Sequence, residues 1–112
     1  MIIFPAIDIK DGKVVRLLQG HFDRVTEYAK DPLELAKHWE KEGAQWLHVV
    51  DLDGAQTGEM KNLNIIKNIA KAVSIPIEVG GGIRDERQVQ ELLNVKIRRV
   101  ILGTRVVSDK NS

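Results

Sequence analysis

The feature that most limits the fold of this chain is an alternation of short β-branched runs with longer stretches of helical period. Ile2 to Ile9 is short, apolar and rich in Ile, the pattern of a buried strand. Lys13 to Leu18 forms a second strand-like run, reached through Asp11-Gly12, a dipeptide that favours a tight hairpin turn. Asp31-Pro32-Leu33-Glu34 then signals a helix start: Asp31 can cap, Pro32 suits the first helical position, and Glu34 can complete a capping box. Leu35, Ala36 and Trp39 supply its apolar face, and Gly43 supplies the stop.

The alternation continues to the end. Trp46 to Leu52 reads as a strand, and Ile66, Ile69, Ala70 and Val73 recur at spacings that make 62–73 an amphipathic helix. Pro76 to Val79 is a strand that runs into Gly80-Gly81-Gly82. Asp85 to Gln88 repeats the capping spacing ahead of Val89, Leu92 and Leu93, the buried stripe of a third helix. Arg99 to Leu102 is the last strand and meets Gly103-Thr104. Such an order implies a parallel sheet with right-handed crossovers. Two architectures satisfy it, an open doubly wound sheet and a segment of a (β/α)8 barrel, and periodicity alone does not separate them.

Length sharpens the expectation. The chain has 112 residues, one small domain, whereas a complete barrel takes about 250. Val106 to Ser112 is too short for a helix that would cover the last strand. The expectation is a half-barrel, residues 1–112, whose open strand edges are buried by a C-terminal half or by copies of itself. Apolar residues make up 43% and charged residues 29%, so a packed core is expected. The formal charge of +1 is spread along the chain, with no basic stripe for nucleic acid. The five aromatics are too few for a stacking platform, and Trp39 and Trp46 read as packing residues. Having no cysteine excludes disulfides and thiolate chemistry and fits a cytoplasmic protein. No run reaches membrane-spanning length, and Met1 to Ile7 lacks the basic flank of a signal peptide.

Three places could carry chemistry. Asp8 closes an apolar strand, where a carboxylate costs free energy unless it is paired, hydrated or used. In a barrel the strand C-termini face the active site, so Asp8 would sit at its rim. The alternative is a carboxylate that merely caps the turn at Lys10-Asp11-Gly12. Asp51 and Asp53 follow His48 in the same manner, but His48 and Asp51 point to opposite faces of a strand, which argues against a metal site. Asp51 shares a face with Asp53, and one of them could meet a substrate. His21 and His38 fall on a loop and a helix and read as solvated. Gly80-Gly81-Gly82-Ile83-Arg84 is the most specific feature. Glycines between a strand and a helix allow positive φ and close approach of backbone N–H groups to an anion. With Gly103-Thr104 one βα unit later, two adjacent loops could hold one phosphate between them.

These residues, taken together, resemble a known family. Phe4-Pro5-Ala6-Ile7-Asp8, then Gly12-Lys13-Val14-Val15-Arg16-Leu17 and Gln19-Gly20, resemble the opening of the phosphoribosylformimino aminoimidazole carboxamide ribotide isomerases of histidine biosynthesis. His48 to Ala55, Gly80 to Arg84 and Leu102-Gly103-Thr104 continue the resemblance in order, over about the first 107 residues. The paralogous cyclases share the glycine loop but usually open with Cys-Leu-Asp where this chain has Ala6-Ile7-Asp8.

The resemblance implies a (β/α)8 barrel of two similar halves, each gripping one phosphate of a phosphorylated, ribose-containing substrate. The implied reaction is an Amadori rearrangement of an aminoaldose to an aminoketose, with no cofactor and no metal. By resemblance Asp8 is the general base that takes the proton from C2 of the opened ribose. Gly81, Gly82, Gly103 and Thr104 form the phosphate site, and Asp51 is a candidate for substrate contact. Departures accompany the match. The family's general acid, an aspartate on the fifth strand, and its second phosphate site fall outside this sequence. Arg105 stands where a small residue is usual, and Asp109-Lys110 replaces Asn-Pro. The expected isolated chain is therefore inactive; the alternative is a non-catalytic, self-associating phosphate-binding half-barrel.

Overall fold

A computed structural model describes residues 5–18, 21–27, 31–58, 60–83, 86–102 and 105–108. The chain runs β1 (Ala6–Lys10), β2 (Lys13–Leu18), β3 (His21–Glu27), α1 (Pro32–Lys41), β4 (Leu47–Asp51), α2 (Leu52–Thr57), α3 (Leu63–Ala72), β5 (Ile77–Gly80), α4 (Glu86–Asn94), β6 (Arg99–Leu102) and β7 (Arg105–Ser108). One sheet takes all seven strands in the order β3-β2-β1-β4-β5-β6-β7.

That order separates the two architectures the sequence leaves open. The four strands β1, β4, β5 and β6 are parallel and adjacent in chain order. A doubly wound sheet reverses its order at a switch point, which places helices on both faces. Sequential order with right-handed crossovers places every crossover helix on the same face. The burial pattern agrees. Ile7, Ile9, Leu47, Val49, Ile77, Val79 and Val100 point one way and form a single core with Leu35, Ala36, Ile66, Ile69 and Leu92 from the helices. The alternate residues Asp8, His48, Val50, Glu78, Arg99 and Ile101 are only half-buried. The sheet is thus part of a (β/α)8 barrel, with an outer helix-covered face and an inner face that is largely polar.

Local signals place the helices as expected. The Asp31 carboxylate accepts from the Leu33 N–H at 2.8 Å, Pro32 opens α1, and Gly43 follows it at φ 96°. Helix α3 spans nearly the interval read from its apolar period. The β1–β2 hairpin has positive φ at both Asp11 (52°) and Gly12 (77°), the turn chemistry that Asp-Gly favours.

Four features differ from the expectation. Strand β1 begins at Ala6, directly after Pro5; residues 1–4 lie outside the described residues, as does Asp85 of the third helix's capping signal. A short extra helix, α2, follows β4 directly. Strand β3 was not expected, and it pairs antiparallel to β2. Strand β7 also turns back antiparallel on β6, with Leu102 opposite Arg105. The adjacent β-branched residues Val106 and Val107 suit a strand, and the edge of β6 offers the segment unpaired backbone groups.

The core makes a direct prediction. Ile66 is fully buried where α3 meets the sheet, so Ile66→Ala should cost about 3 kcal/mol in denaturant unfolding.

Candidate active-site rim

The C-terminal ends of the parallel strands are organised by one buried carboxylate. Asp51 ends β4, is fully buried, and caps α2. Its Oδ1 accepts from the Gly54 N–H and the Asn62 side-chain amide, both at 2.8 Å. Its Oδ2 accepts from the backbone N–H groups of Lys61 and Asn62, both at 2.6 Å. A buried charge is tolerable only with such a set of donors, since each replaces lost hydration. Asp51, a sequence candidate for substrate contact, therefore spends its acceptors on the loop that follows it.

Asn62 extends this network. It is buried, and its amide also donates to Asp53 Oδ2 at 3.0 Å while its Oδ1 accepts from the Gly12 N–H at 3.1 Å. Asp53 Oδ2 accepts from the Asp11 N–H at 2.7 Å, and Lys10 lies 3.6 Å from Asp53 Oδ1. Burial works to raise the Asp53 carboxyl, but the Asp11 N–H, the Asn62 amide and Lys10 outweigh it and hold it below its ordinary value. The β1–β2 turn is thus held by Asp53 and Asn62. This answers the alternative for Asp8: the turn amides are capped by other residues.

Asp8 itself is half-buried in the middle of β1, opposite Val15 of β2 and Val50 of β4 and on the inner face of the sheet. Burial pushes its carboxyl up, and the nearby His48 imidazole pulls it part of the way back. A half-buried carboxylate made more basic than usual can take a proton from carbon-bound hydrogen if substrate reaches it.

The glycine loop rests against the same network. Gly81 and Gly82 have φ of 100° and 82°, which L side chains rarely adopt. A Cβ on Gly81 would collide with the Asp51 carbonyl oxygen, and one on Gly82 would lie 2.5 Å from the Gly54 carbonyl oxygen. These glycines are required for backbone-on-backbone packing as well as for any anion they hold. Gly103 and Thr104, the other expected phosphate residues, lie outside the described residues.

Further down the inner face, a polar row crosses three strands. Glu78 of β5 accepts from His48 Nδ1 at 2.6 Å and pairs with Arg99 of β6 at 3.3 Å. The Arg99 guanidinium lies 4.2 Å from the centroid of the Trp46 ring, so Trp46 stacks on a cation rather than only filling space. His38 is half-buried beside Glu42, whereas the side chain of His21 is outside the described residues. Sequence reasoning missed Asn62, Glu78 and Arg99. The signal for Glu78 and Arg99 was a charged residue in step with His48 in otherwise apolar strands. Asn62 gave none, because its partners lie up to 50 residues away. Among the described residues, no group of three or more His, Cys, Asp or Glu could hold a metal, and no helix is long and apolar enough to cross a membrane.

A parallel sheet in sequential order, with its helices packed against one face, is the geometry of part of a (β/α)8 barrel. The chain belongs to the histidine biosynthesis protein family, whose sequence model matches residues 2–112. It is 54% identical over 109 residues to the 1-(5-phosphoribosyl)-5-((5-phosphoribosylamino)methylideneamino) imidazole-4-carboxamide isomerase of Oceanobacillus iheyensis, covering 97% of this chain and 45% of that protein. It is 59% identical over 104 residues to the isomerase of the same name from Syntrophobacter fumaroxidans, covering 93% of this chain and 41% of the relative. The corresponding isomerase of Clostridioides difficile is 52% identical over 111 residues, 99% of this chain and 46% of that protein. The chain spans under half the length of these curated relatives.

The rim network predicts a ranking of variants by urea unfolding. Asn62→Ala removes donors from two carboxylates and should cost about 3 kcal/mol. Gly82→Ala, which combines positive φ with a backbone clash, should cost at least about 2 kcal/mol. Gly43→Ala shares the positive φ but meets no atom within 4 Å, and should cost about 1 kcal/mol.

Proposed function

We propose that this chain is the N-terminal, base-bearing part of an isomerase of histidine biosynthesis. The reaction is the Amadori rearrangement of a phosphoribosyl aminoaldose to the aminoketose. The observation that carries the reading is Asp8: a half-buried carboxylate, raised by its surroundings, on the inner face of the first barrel strand. The isomerase names of the relatives support the reaction class.

In this reading the ribose ring of the substrate opens to an imine at C1. Asp8 takes the proton from C2, the C2–H electron pair forms a C1=C2 bond, and the C1=N electrons move to nitrogen, which takes up a proton. Loss of the O2 proton and protonation of C1 then give the ketone at C2, with no net change in atoms or electrons. One substrate phosphate is held by Gly81 and Gly82 together with Gly103 and Thr104, and the positive φ of Gly81 and Gly82 suits close backbone approach to an anion. Asp51 serves this site indirectly, by fixing Gly54, against whose backbone Gly82 packs. The reading carries with it a cytoplasmic setting and a reaction without cofactor.

A second reading concerns assembly, and the inner face favours it. Val50, Ile101 and Asp8 are half-buried there, on the side away from the core shared with the helices. In this reading the face closes against a C-terminal half-barrel or a copy of the same chain, and the half lacking its acid partner is inactive alone. Purified residues 1–112 should sediment as a dimer or larger species without turnover. A well-dispersed monomer, or turnover by these residues alone, would contradict it.

The Asp8 assignment has two measurable consequences in the full-length protein. Asp8→Asn should lower kcat by a factor of about 10² to 10⁴. It should also stabilise the fold near neutral pH. A carboxyl raised on folding binds its proton more tightly in the native state; that stabilisation is complete below the unfolded value and is lost as pH rises through the folded one. Neutral Asn removes the resulting cost, so thermal melts should show the variant gaining stability at pH 7 and losing that gain in acid. Unchanged turnover would refute the base.

A further inference from the structure

The polar row on the inner face is more elaborate than sheet packing requires. Glu78 is bonded from both sides, by His48 at 2.6 Å and by Arg99 at 3.3 Å, and Arg99 is in turn stacked on Trp46. Residues from three adjacent parallel strands are thereby locked into one arrangement. The row leads toward Asp8. His48 is the register partner of Ala6, and Asp8 is the partner of Val50, so the two lie one step apart on the same face of adjoining strands.

We propose that His48 is a positioning residue for Asp8, with its imidazole fixed by Glu78, and Glu78 fixed in turn by Arg99. This rests on the reading of Asp8 as the general base. An ionised carboxylate only accepts, so the short contact to Glu78 Oε1 requires the proton on His48 Nδ1. That choice of tautomer sets the orientation of the ring and leaves Nε2 as its second polar atom. The imidazole then acts on Asp8 electrostatically, opposing the effect of burial on its carboxyl.

Among the described side chains, the other charges on this face do not take its place. Lys10 shares the face on β1 but lies 3.6 Å from Asp53, and Lys13 is its register partner on β2. Val15 and Val50, the direct partners of Asp8, are uncharged. Glu78 and Arg99, the charged residues on β5 and β6, are joined to each other. His48 is therefore the titratable group through which the row reaches the base.

The test follows the Asp8 carboxyl by carbon-13 NMR through a pH titration of the full chain, which needs no turnover. His48→Gln should move the Asp8 midpoint to higher pH. Glu78→Gln, which keeps an acceptor for Nδ1–H but removes the charge beside it, should move it the same way by less. The acid limb of kcat/KM should follow, a change that loss of packing alone would not produce. An unmoved Asp8 midpoint in folded His48→Gln would overturn the proposal. If the variants do not fold, nitrogen-15 spectra of the unsubstituted protein decide: neutral His48 must carry its proton on Nδ1, and an Nε2–H tautomer overturns it. Full activity of Asp8→Asn alongside a shifted midpoint would remove the base reading and leave the positioning intact.

Discussion

The rim depends on the carboxylate of Asp51. Burying a charge costs several kcal/mol unless donors replace its water, and here four N–H groups converge on its two oxygens. The donors come from the first turn of α2 and from the segment that opens α3. Asn62 and Asp53 then bring in the β1–β2 turn, and Gly81 packs against the Asp51 backbone itself. Separate loops at the strand C-termini are thereby fixed to one another. The network ties these loops together without using the inner face.

The sheet divides its labour by side-chain alternation. The outward positions of β1, β4, β5 and β6 are aliphatic and carry the core shared with the helices. The inward positions carry Asp8, His48, Glu78 and Arg99, whose partners lie on neighbouring strands. The polar pairs and the apolar core therefore sit on opposite faces of the same strands. Substitution inside should alter reactivity more than folding, with Asp8 the clearest case of a residue whose ionised form works against the fold.

Much of this was legible in the sequence, where the cause was local. Asp31-Pro32 caps α1, Asp11-Gly12 makes the hairpin, and Ile66 and Ile69 set the buried face of α3 as their spacing demanded. The choice between barrel and open sheet was not local, because it rests on which strands become neighbours. The roles of Asp51 and Asn62 were hidden for the same reason: a carboxylate at a strand end looks alike whether its acceptors face a substrate or amides ten residues on. The glycine loop was read for its freedom to bind an anion. Its contact with the backbone of β4 and α2 is a second, independent demand for glycine that no one-dimensional pattern records.

Amide hydrogen exchange across the rim tests this account most directly. The N–H groups of Asp11, Gly12, Gly54, Lys61 and Asn62 all donate to the Asp51, Asn62 and Asp53 side chains. If that network holds the rim together, these five amides should be protected and should open with one common free energy. Separate opening energies, with the hairpin amides exchanging freely while those at Gly54 and Asn62 stay protected, would mean that the loops are held independently and that Asp51 does not organise the site.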